Sequence, residues 1–147
     1  MRAVVQRVSR ASVTVNGEVV GRCGRGLLVL IAAHRDDTEL VAAKMADRVA
    51  KLRIFNDEEE KMNLALGDLD PPGSVLAVSN FTVYGETAKN RRPSFIESAP
   101  YERGKELYEA FLLALRALGV TAESGVFGAM MDVELVNDGP VTVIVET

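Results

Sequence analysis

At 147 residues, 48% of them apolar and 26% charged, the chain is long enough for one packed domain and too apolar to stay disordered. Its net charge of −4 argues against a strongly basic nucleic-acid coat, and a single cysteine, Cys23, rules out an internal disulfide and a cysteine-rich zinc site. The longest apolar run, Leu27–Ala33, falls far short of the roughly 20 residues a membrane helix needs. Met1–Arg7 also lacks the apolar stretch of a secretory signal, so a soluble, cytosolic chain with no membrane partner is expected.

In chain order, residues 3–8 read as a strand. Ser12–Val15 and Glu18–Val20 alternate around Asn16-Gly17, a pair suited to the positive φ angles of a tight hairpin turn. Gly24 and Gly26 bracket a turn, and Gly26–Ala33 reads as a buried strand. Asp36-Asp37-Thr38-Glu39 supplies helix-start residues, after which Val41, Met45, Val49 and Leu52 fall on one helical face. Residues 57–72 are acidic, then turn-rich, and Ser74–Phe81 is the next strand. Residues 84–100 form a long loop, a length common at functional sites. A second helix is expected from Tyr101 to Leu118, with Leu107, Phe111, Leu115 and Leu118 as its core stripe and Gly119 as its stop. Strands near 131–136 and 141–146 are joined by Asn137-Asp138-Gly139-Pro140, a turn by composition. Strands, helix, strand, helix, strands: this order predicts an α+β fold with a mixed or largely antiparallel sheet, in one domain over 1–147.

Charge is unevenly spread. Arg2, Arg7, Arg10, Arg22 and Arg25 face only Glu18 in the first 26 residues, whereas residues 118–147 carry five acids and no Lys or Arg. Lys89, Arg91 and Arg92 make a second basic segment. A local phosphate-facing patch is compatible with this pattern.

Several chemistries lack their residues. Gly21–Gly26 is glycine-rich, but a strand follows it, so no helix N-terminus awaits a phosphate. His34 is the single histidine and sits at a helix start, where capping or surface placement is the simplest reading. Asp57–Glu60 lacks the spaced ligands of a calcium loop, and Cys23 reads as a small buried or turn residue. No metal is expected. What stands out is Val78-Ser79-Asn80-Phe81-Thr82-Val83, where polar residues interrupt a strand end; alternation would send Ser79 and Phe81 to one face, Asn80 and Thr82 to the other. Gly139-Pro140-Val141-Thr142 is the second such interruption.

Ser79-Asn80-Phe81-Thr82-Val83 resembles the Ser-Gln-Phe-Thr-Leu signature of D-aminoacyl-tRNA deacylases, and Gly139-Pro140-Val141-Thr142 matches that family's Gly-Pro-Val-Thr segment. The likeness extends to the Met1–Val8 start, Arg53-Ile54-Phe55, Lys61-Met62-Asn63, Asn90–Phe95 and Phe127–Met130. Asn80 stands where the family has Gln, Val83 where it has Leu, and Met130 follows Ala129 where the family has Asp-Met.

The resemblance implies an α+β fold with a barrel-like β core carrying two main helices. It also implies a cofactor-free homodimer that releases D-amino acids, and glycine mischarged on tRNA(Ala), from the 3′ end of aminoacyl-tRNA. Thr82 and Phe81 would be catalytic. Ser79, Asn80, Phe95 and Met130 would contact substrate, along with Gly139 and Pro140 reaching the partner's pocket through a cis peptide bond. Lys89, Arg91 and Arg92 would meet the tRNA. A threonine hydroxyl needs a neighbouring base to attack, and the sequence offers none near Thr82. Attack by water, assisted by the ribose 2′-OH, with backbone N–H groups around Phe81 and Thr82 holding the oxyanion, is therefore the expected mechanism. The alternative is a non-catalytic RNA-binding dimer, although the chain has no Trp and only five Phe with which to stack bases.

Overall fold

Asn16 and Gly17 take φ of 51° and 82°, and this turn folds β1 (Arg2–Val15) back onto β2 (Glu18–Cys23). The computed structural model describes residues 1–147. The remaining elements are β3 (Gly26–Ala32), α1 (Glu39–Ala50), β4 (Phe55–Asn56), β5 (Met62–Leu64), β6 (Ser74–Ser79), α2 (Tyr101–Ala117), β7 (Thr121–Ser124) and β8 (Asp132–Glu146). Short 3-10 turns occupy Leu66–Asp68 and Phe81–Tyr84.

β1 organises the sheet. Its first half pairs antiparallel with β3, its second half with β2, and β8 runs antiparallel along its other edge from end to end. β6 adds parallel to β3, and β7 parallel to β6. β2 and β7 then approach across a narrow seam, where the Arg22 N–H donates to the Glu123 carboxylate at 2.7 Å and a Cβ on Gly21 would stand 2.6 Å from the Ser124 carbonyl. The result is a nearly closed, mixed barrel, as the resemblance implies.

Alternation along the strands builds two cores. Ala3 and Val5, Leu27, Val29 and Ile31, Val75 and Ala77 face the helices, where Met45, Val49, Leu107, Phe111 and Leu115 complete a cluster of 24 buried residues. Val8, Leu28, Leu76 and Val78, of the opposite parity, fill the barrel interior with Cys23 and with Val13, which the register shifts of β1 after Gln6 carry to that side. Full burial of each such side chain stabilises by about 1.5–3 kcal/mol, so the helical layer is fixed chiefly by packing. Burial pushes the Cys23 thiol up to about 11, which keeps it protonated and unreactive.

Four expectations are corrected. Residues 3–8 and 12–15 belong to one continuous strand. β6 stops at Ser79, two residues early, because Asn80 caps a 3-10 turn. Leu118 lies beyond the end of α2 and is 48% exposed. Residues 131–136 and 141–146 are not a hairpin: β8 continues through both, and Asp138–Val141 bulge out opposite Arg7, between the pairs Val8–Asn137 and Gln6–Thr142. Turn composition was read correctly as an interruption, but β1 holds both flanks in one direction.

Candidate active site

The end of β6 opens into a cleft of about 880 Å³, bounded by mainly apolar side chains from β3, the start of α2, the loop before β8, and β8 itself. A size of this order suits a small-molecule or nucleotide-end ligand. Ser79, Asn80, Phe81, Phe95 and Met130 all line it. Strand alternation would have split Ser79 and Phe81 from Asn80. The 3-10 turn starting at Phe81 breaks the period and brings the three to one wall.

Within that turn the hydrogen bonds are specific. The Asn80 carboxamide oxygen accepts from the Thr82 N–H at 3.1 Å and from the Thr82 hydroxyl at 2.5 Å. Thr82 is exposed beside the cleft, and its hydroxyl hydrogen-bonds to no histidine, lysine or carboxylate. The Thr82 N–H is thus already occupied, leaving the Phe81 N–H as the free backbone donor of the expected pair.

Loop 85–100 is anchored at two levels. Glu86 and Ser94 exchange backbone hydrogen bonds, which makes the segment between them a small projecting tip carrying Lys89, Arg91 and Arg92. All three are exposed and lie outside the cleft, and none forms an ion pair with another residue of the chain. Nearer the cleft, Phe95 packs edge-on against Phe81 with ring centroids 5.1 Å apart, and the Ser98 hydroxyl donates to the Phe81 carbonyl at 2.8 Å. His34 meets Glu97 at 2.8 Å (Nε2 to Oε2), and together with Arg35 it holds the Glu97 carboxyl below the usual carboxylate range. Behind them, Arg2 lies over the Tyr84 ring at 4.7 Å; burial, with the Asp37 charge second, pushes the Tyr84 hydroxyl up to about 12.

Gly139 and Pro140 are exposed and lie outside the cleft of their own chain, with a cis peptide between them. The bulge that carries them is gripped from below. Arg7, only 7% exposed, donates to the carbonyls of Ile54 (2.8 Å) and Asp138 (3.2 Å) and to Asn56 Oδ1 (3.1 Å), and its Nε lies 3.2 Å from the Asp138 carboxylate. The Asn137 side chain donates to the carbonyls of Arg7 and Val141, closing the neck of the bulge. Sequence reasoning missed this clamp. The signal was present: Arg7 shares parity with Ala3 and Val5, and an arginine on a core-facing position demands partners.

Comparison with known proteins agrees with this architecture. The D-Tyr-tRNA(Tyr) deacylase family matches residues 4–146. The chain belongs to that family, a family of hydrolases. A D-aminoacyl-tRNA deacylase of Koribacter versatilis is 57% identical over the whole chain and 97% of the relative, and one of Thermus aquaticus is 54% identical over the whole chain and 95% of the relative. Among solved structures, the c-Myc DNA Unwinding Element Binding Protein superposes with a TM-score of 0.92 at 38% identity, covering 100% of this chain and 99% of that one. A structure described as a "probable eukaryotic D-amino acid tRNA deacylase" shares the fold, with a TM-score of 0.82 at 22% identity over 98% of this chain and 97% of the other. Asn80 and Met130, the two departures from the signature, both line the cleft; Met130 is 92% exposed at the rim, and Met131, not Met130, packs on Gly125.

Proposed function

We propose that this member of the deacylase family hydrolyses the ester between a D-amino acid and the 3′-terminal ribose of tRNA, and that it also clears glycine mischarged on tRNA(Ala). The observation that carries the proposal is the gathering of Ser79, Asn80, Phe81 and Phe95 around one apolar cleft, with the free Phe81 N–H in the same turn. Water's oxygen bonds to the acyl carbon while the carbon–oxygen bond to the ribose breaks. One water proton ends on the ribose hydroxyl and the other leaves with the new carboxyl group. The neighbouring 2′-OH orients the water, and the Phe81 N–H faces the negative charge that develops on the acyl oxygen. Thr82 positions and does not attack: its hydroxyl is spent on Asn80, and no base adjoins it. No metal or organic cofactor enters this mechanism.

The active form in this proposal is a homodimer in which Gly139-Pro140 of one chain reaches the cleft of the other. Two features support that reading: β8 leaves its far edge unpaired over a long strand, and the bulge is stiffly held yet lies outside its own cleft. Backbone carbonyls on such a bulge would form a wall where an L side chain would point. The basic tip at Lys89, Arg91 and Arg92 stands ready for acceptor-end phosphates, next to Phe95 and Ser98 at the cleft. In this proposal the enzyme acts in the cytoplasm, where tRNA is charged.

Ester release from D-Tyr-tRNA, L-Tyr-tRNA and Gly-tRNA(Ala) tests the proposal. Release from the first and third, with the second spared, is expected. Binding of all three without release would leave the RNA-binding alternative standing. Trapping an acyl group on Thr82 would overturn the water mechanism.

A further inference from the structure

Resting on the deacylase and dimer reading above, we infer that Gln6 is a positioning residue for the bulge of β8. Through Thr142 and Asn137 it forms a one-way hydrogen-bond relay that fixes the aim of Gly139-Pro140, the segment each chain presents to its partner's cleft. Gln6 Nε2 lies 3.2 Å from the Thr142 hydroxyl, and that hydroxyl lies 3.4 Å from Asn137 Oδ1. Asn137 Nδ2 in turn reaches the carbonyls of Arg7 at 2.9 Å and Val141 at 3.0 Å.

The direction of the relay is dictated from its far end. Carbonyl oxygens only accept, so the Asn137 atom facing Arg7 and Val141 is the NH2 group, and the atom facing Thr142 is the oxygen. An amide oxygen also only accepts, so Thr142 gives its single hydroxyl hydrogen to Asn137. The Thr142 oxygen is then left to accept, and Gln6 meets it with an N–H. No other arrangement makes both bonds. Gln6 Oε1 consequently keeps no partner within the chain, on a residue that lines the cleft.

The sheet register gives these three residues their leverage. Gln6 pairs with Thr142 and Val8 with Asn137, and residues 138–141 leave the ladder between those two pairs. Thr142 and Asn137 are the posts of the bulge, and the bond between their side chains sets the distance between the posts. Arg7 holds the Asp138 end, through the Asp138 carbonyl and carboxylate. The relay holds the other end, because Asn137 Nδ2 also grips the Val141 carbonyl. Its longest link is the 3.4 Å bond from Thr142 to Asn137. A donor on the Thr142 oxygen polarises the hydroxyl and strengthens that link, which is the part Gln6 plays.

An isosteric change tests direction apart from size. Gln6→Glu faces Thr142 with a second acceptor where the parent has a donor, and Thr142→Val removes the relay's middle. Single-turnover release from D-Tyr-tRNA and from L-Tyr-tRNA is measured for each, with the melting temperature as the control for folding. Each variant should lower the D-over-L rate ratio by about three- to ten-fold, the worth of one neutral hydrogen bond, with melting unchanged. Thr142→Ser, which keeps the hydroxyl, should stay within about two-fold of the parent. Gln6→Glu combined with Thr142→Val should lose no more than Thr142→Val alone, because Gln6 acts only through Thr142. A combined loss equal to the product of the single losses would overturn the inference and leave the deacylase reading intact, as would ratios within about two-fold of the parent in both single variants. Should Thr142→Val melt early, Gln6→Glu against Gln6→Met decides: Met fills a similar length without a competing acceptor, so equal ratios in the two would overturn the relay. A parent chain that releases nothing from D-Tyr-tRNA would instead remove the deacylase reading, and a monomeric parent that still spares L-Tyr-tRNA would remove the partner's wall. Both are read before any variant is made.

Discussion

Two strand interruptions, the turn after β6 and the bulge in β8, solve opposite problems with similar residues. At Asn80–Tyr84 the chain satisfies its own groups locally: Asn80 takes both Thr82 donors, and the Phe81 N–H and the Asn80 amide are left over at the cleft. At Asp138–Val141 nothing local suffices. The bulge is held from β1 and from the segment before β4, through Arg7 and Asn137, and it lies outside its own cleft. A self-capped turn leaves donors free for a ligand, whereas a clamped bulge fixes its backbone without using a neighbouring cleft. On the proposal above, the first works within its own chain and the second is presented to the cleft of a partner.

The sharpest way to break this comparison is to remove the clamp alone. Arg7→Met leaves the carbonyls of Ile54 and Asp138 without their charged donor beneath the bulge. Hydrogen bonds to charged groups are worth about 1.5–3 kcal/mol each when unmade, and the half-exposed Asp138 carboxylate places the expected loss near 2–3 kcal/mol in denaturant unfolding. D-Tyr-tRNA release should also collapse even where the variant is fully folded, because the bulge loses its aim. Full activity in a folded Arg7→Met chain would show that the bulge needs no clamp. Gly139→Ala comes next in size. Gly139 has φ of +122°, and a Cβ there would meet the Val141 nitrogen at 2.9 Å and the Arg7 guanidinium at 3.0 Å. A loss of about 1–3 kcal/mol follows from backbone conformation alone. The same Gly→Ala change at Gly67, where a Cβ meets nothing within 4 Å, should leave stability nearly unchanged.

How far the two regions could be read in the sequence differs for a physical reason. The turn after β6 lies among local signals: a strand period, then Ser-Asn-Phe-Thr, then a loop. Its residues were therefore identifiable, although the strand period mispaired them, because the hydrogen bonds of a 3-10 turn override alternation. The bulge depends on β1, more than a hundred residues away, and on a register in which Arg7 stands opposite Asp138–Val141. Local composition at Asn137-Asp138-Gly139-Pro140 signals a turn, and nothing nearby announces that β1 spans it. β7 escaped notice for a related reason. Thr121–Ser124 is four residues long, lacks a run of branched apolar side chains, and becomes a strand by pairing with β6. The two helices and the Asn16-Gly17 hairpin, whose signals are wholly local, were legible apart from the helix ends, where Leu52 and Leu118 fall beyond α1 and α2.

On the side of the turn, a double charge reversal sharpens the comparison. Lys89, Arg91 and Arg92 project from a tip whose base borders the cleft, so Arg91→Glu with Arg92→Glu should weaken tRNA binding by about ten-fold at moderate salt. The slope of log affinity against log salt should shrink by about 1–2, while stability stays the same. Unchanged binding across a salt series would detach the tip from the RNA.

The smallest expected effect is a pH dependence in the loop that backs the turn. Glu97 accepts from His34 at 2.8 Å and lies 3.4 Å from Arg35, while Asp36 stands 3.6 Å from the other histidine nitrogen. The hydrogen bond from His34 is the main cause that lowers the Glu97 carboxyl below its ordinary value, with Arg35 second. A carboxyl depressed by folding stabilises the fold fully above its unfolded value, and that contribution is lost as pH falls through the folded value. The window thus lies at and below the ordinary glutamate range, and physiological pH leaves the contact whole. Amide exchange at Arg35 and Ala99, whose N–H groups donate to the carbonyls of Glu97 and Ala33, reports loop opening directly. Protection there should decline as pH falls below about 4.3, the ordinary glutamate value, more steeply in the parent than in Glu97→Gln, which lacks the titrating group. Equal slopes would mean that the backbone bonds of the loop hold it without the Glu97 carboxylate. The turn would then owe its placement to Asn80 and Ser98 alone, making it still more self-contained than the clamped bulge.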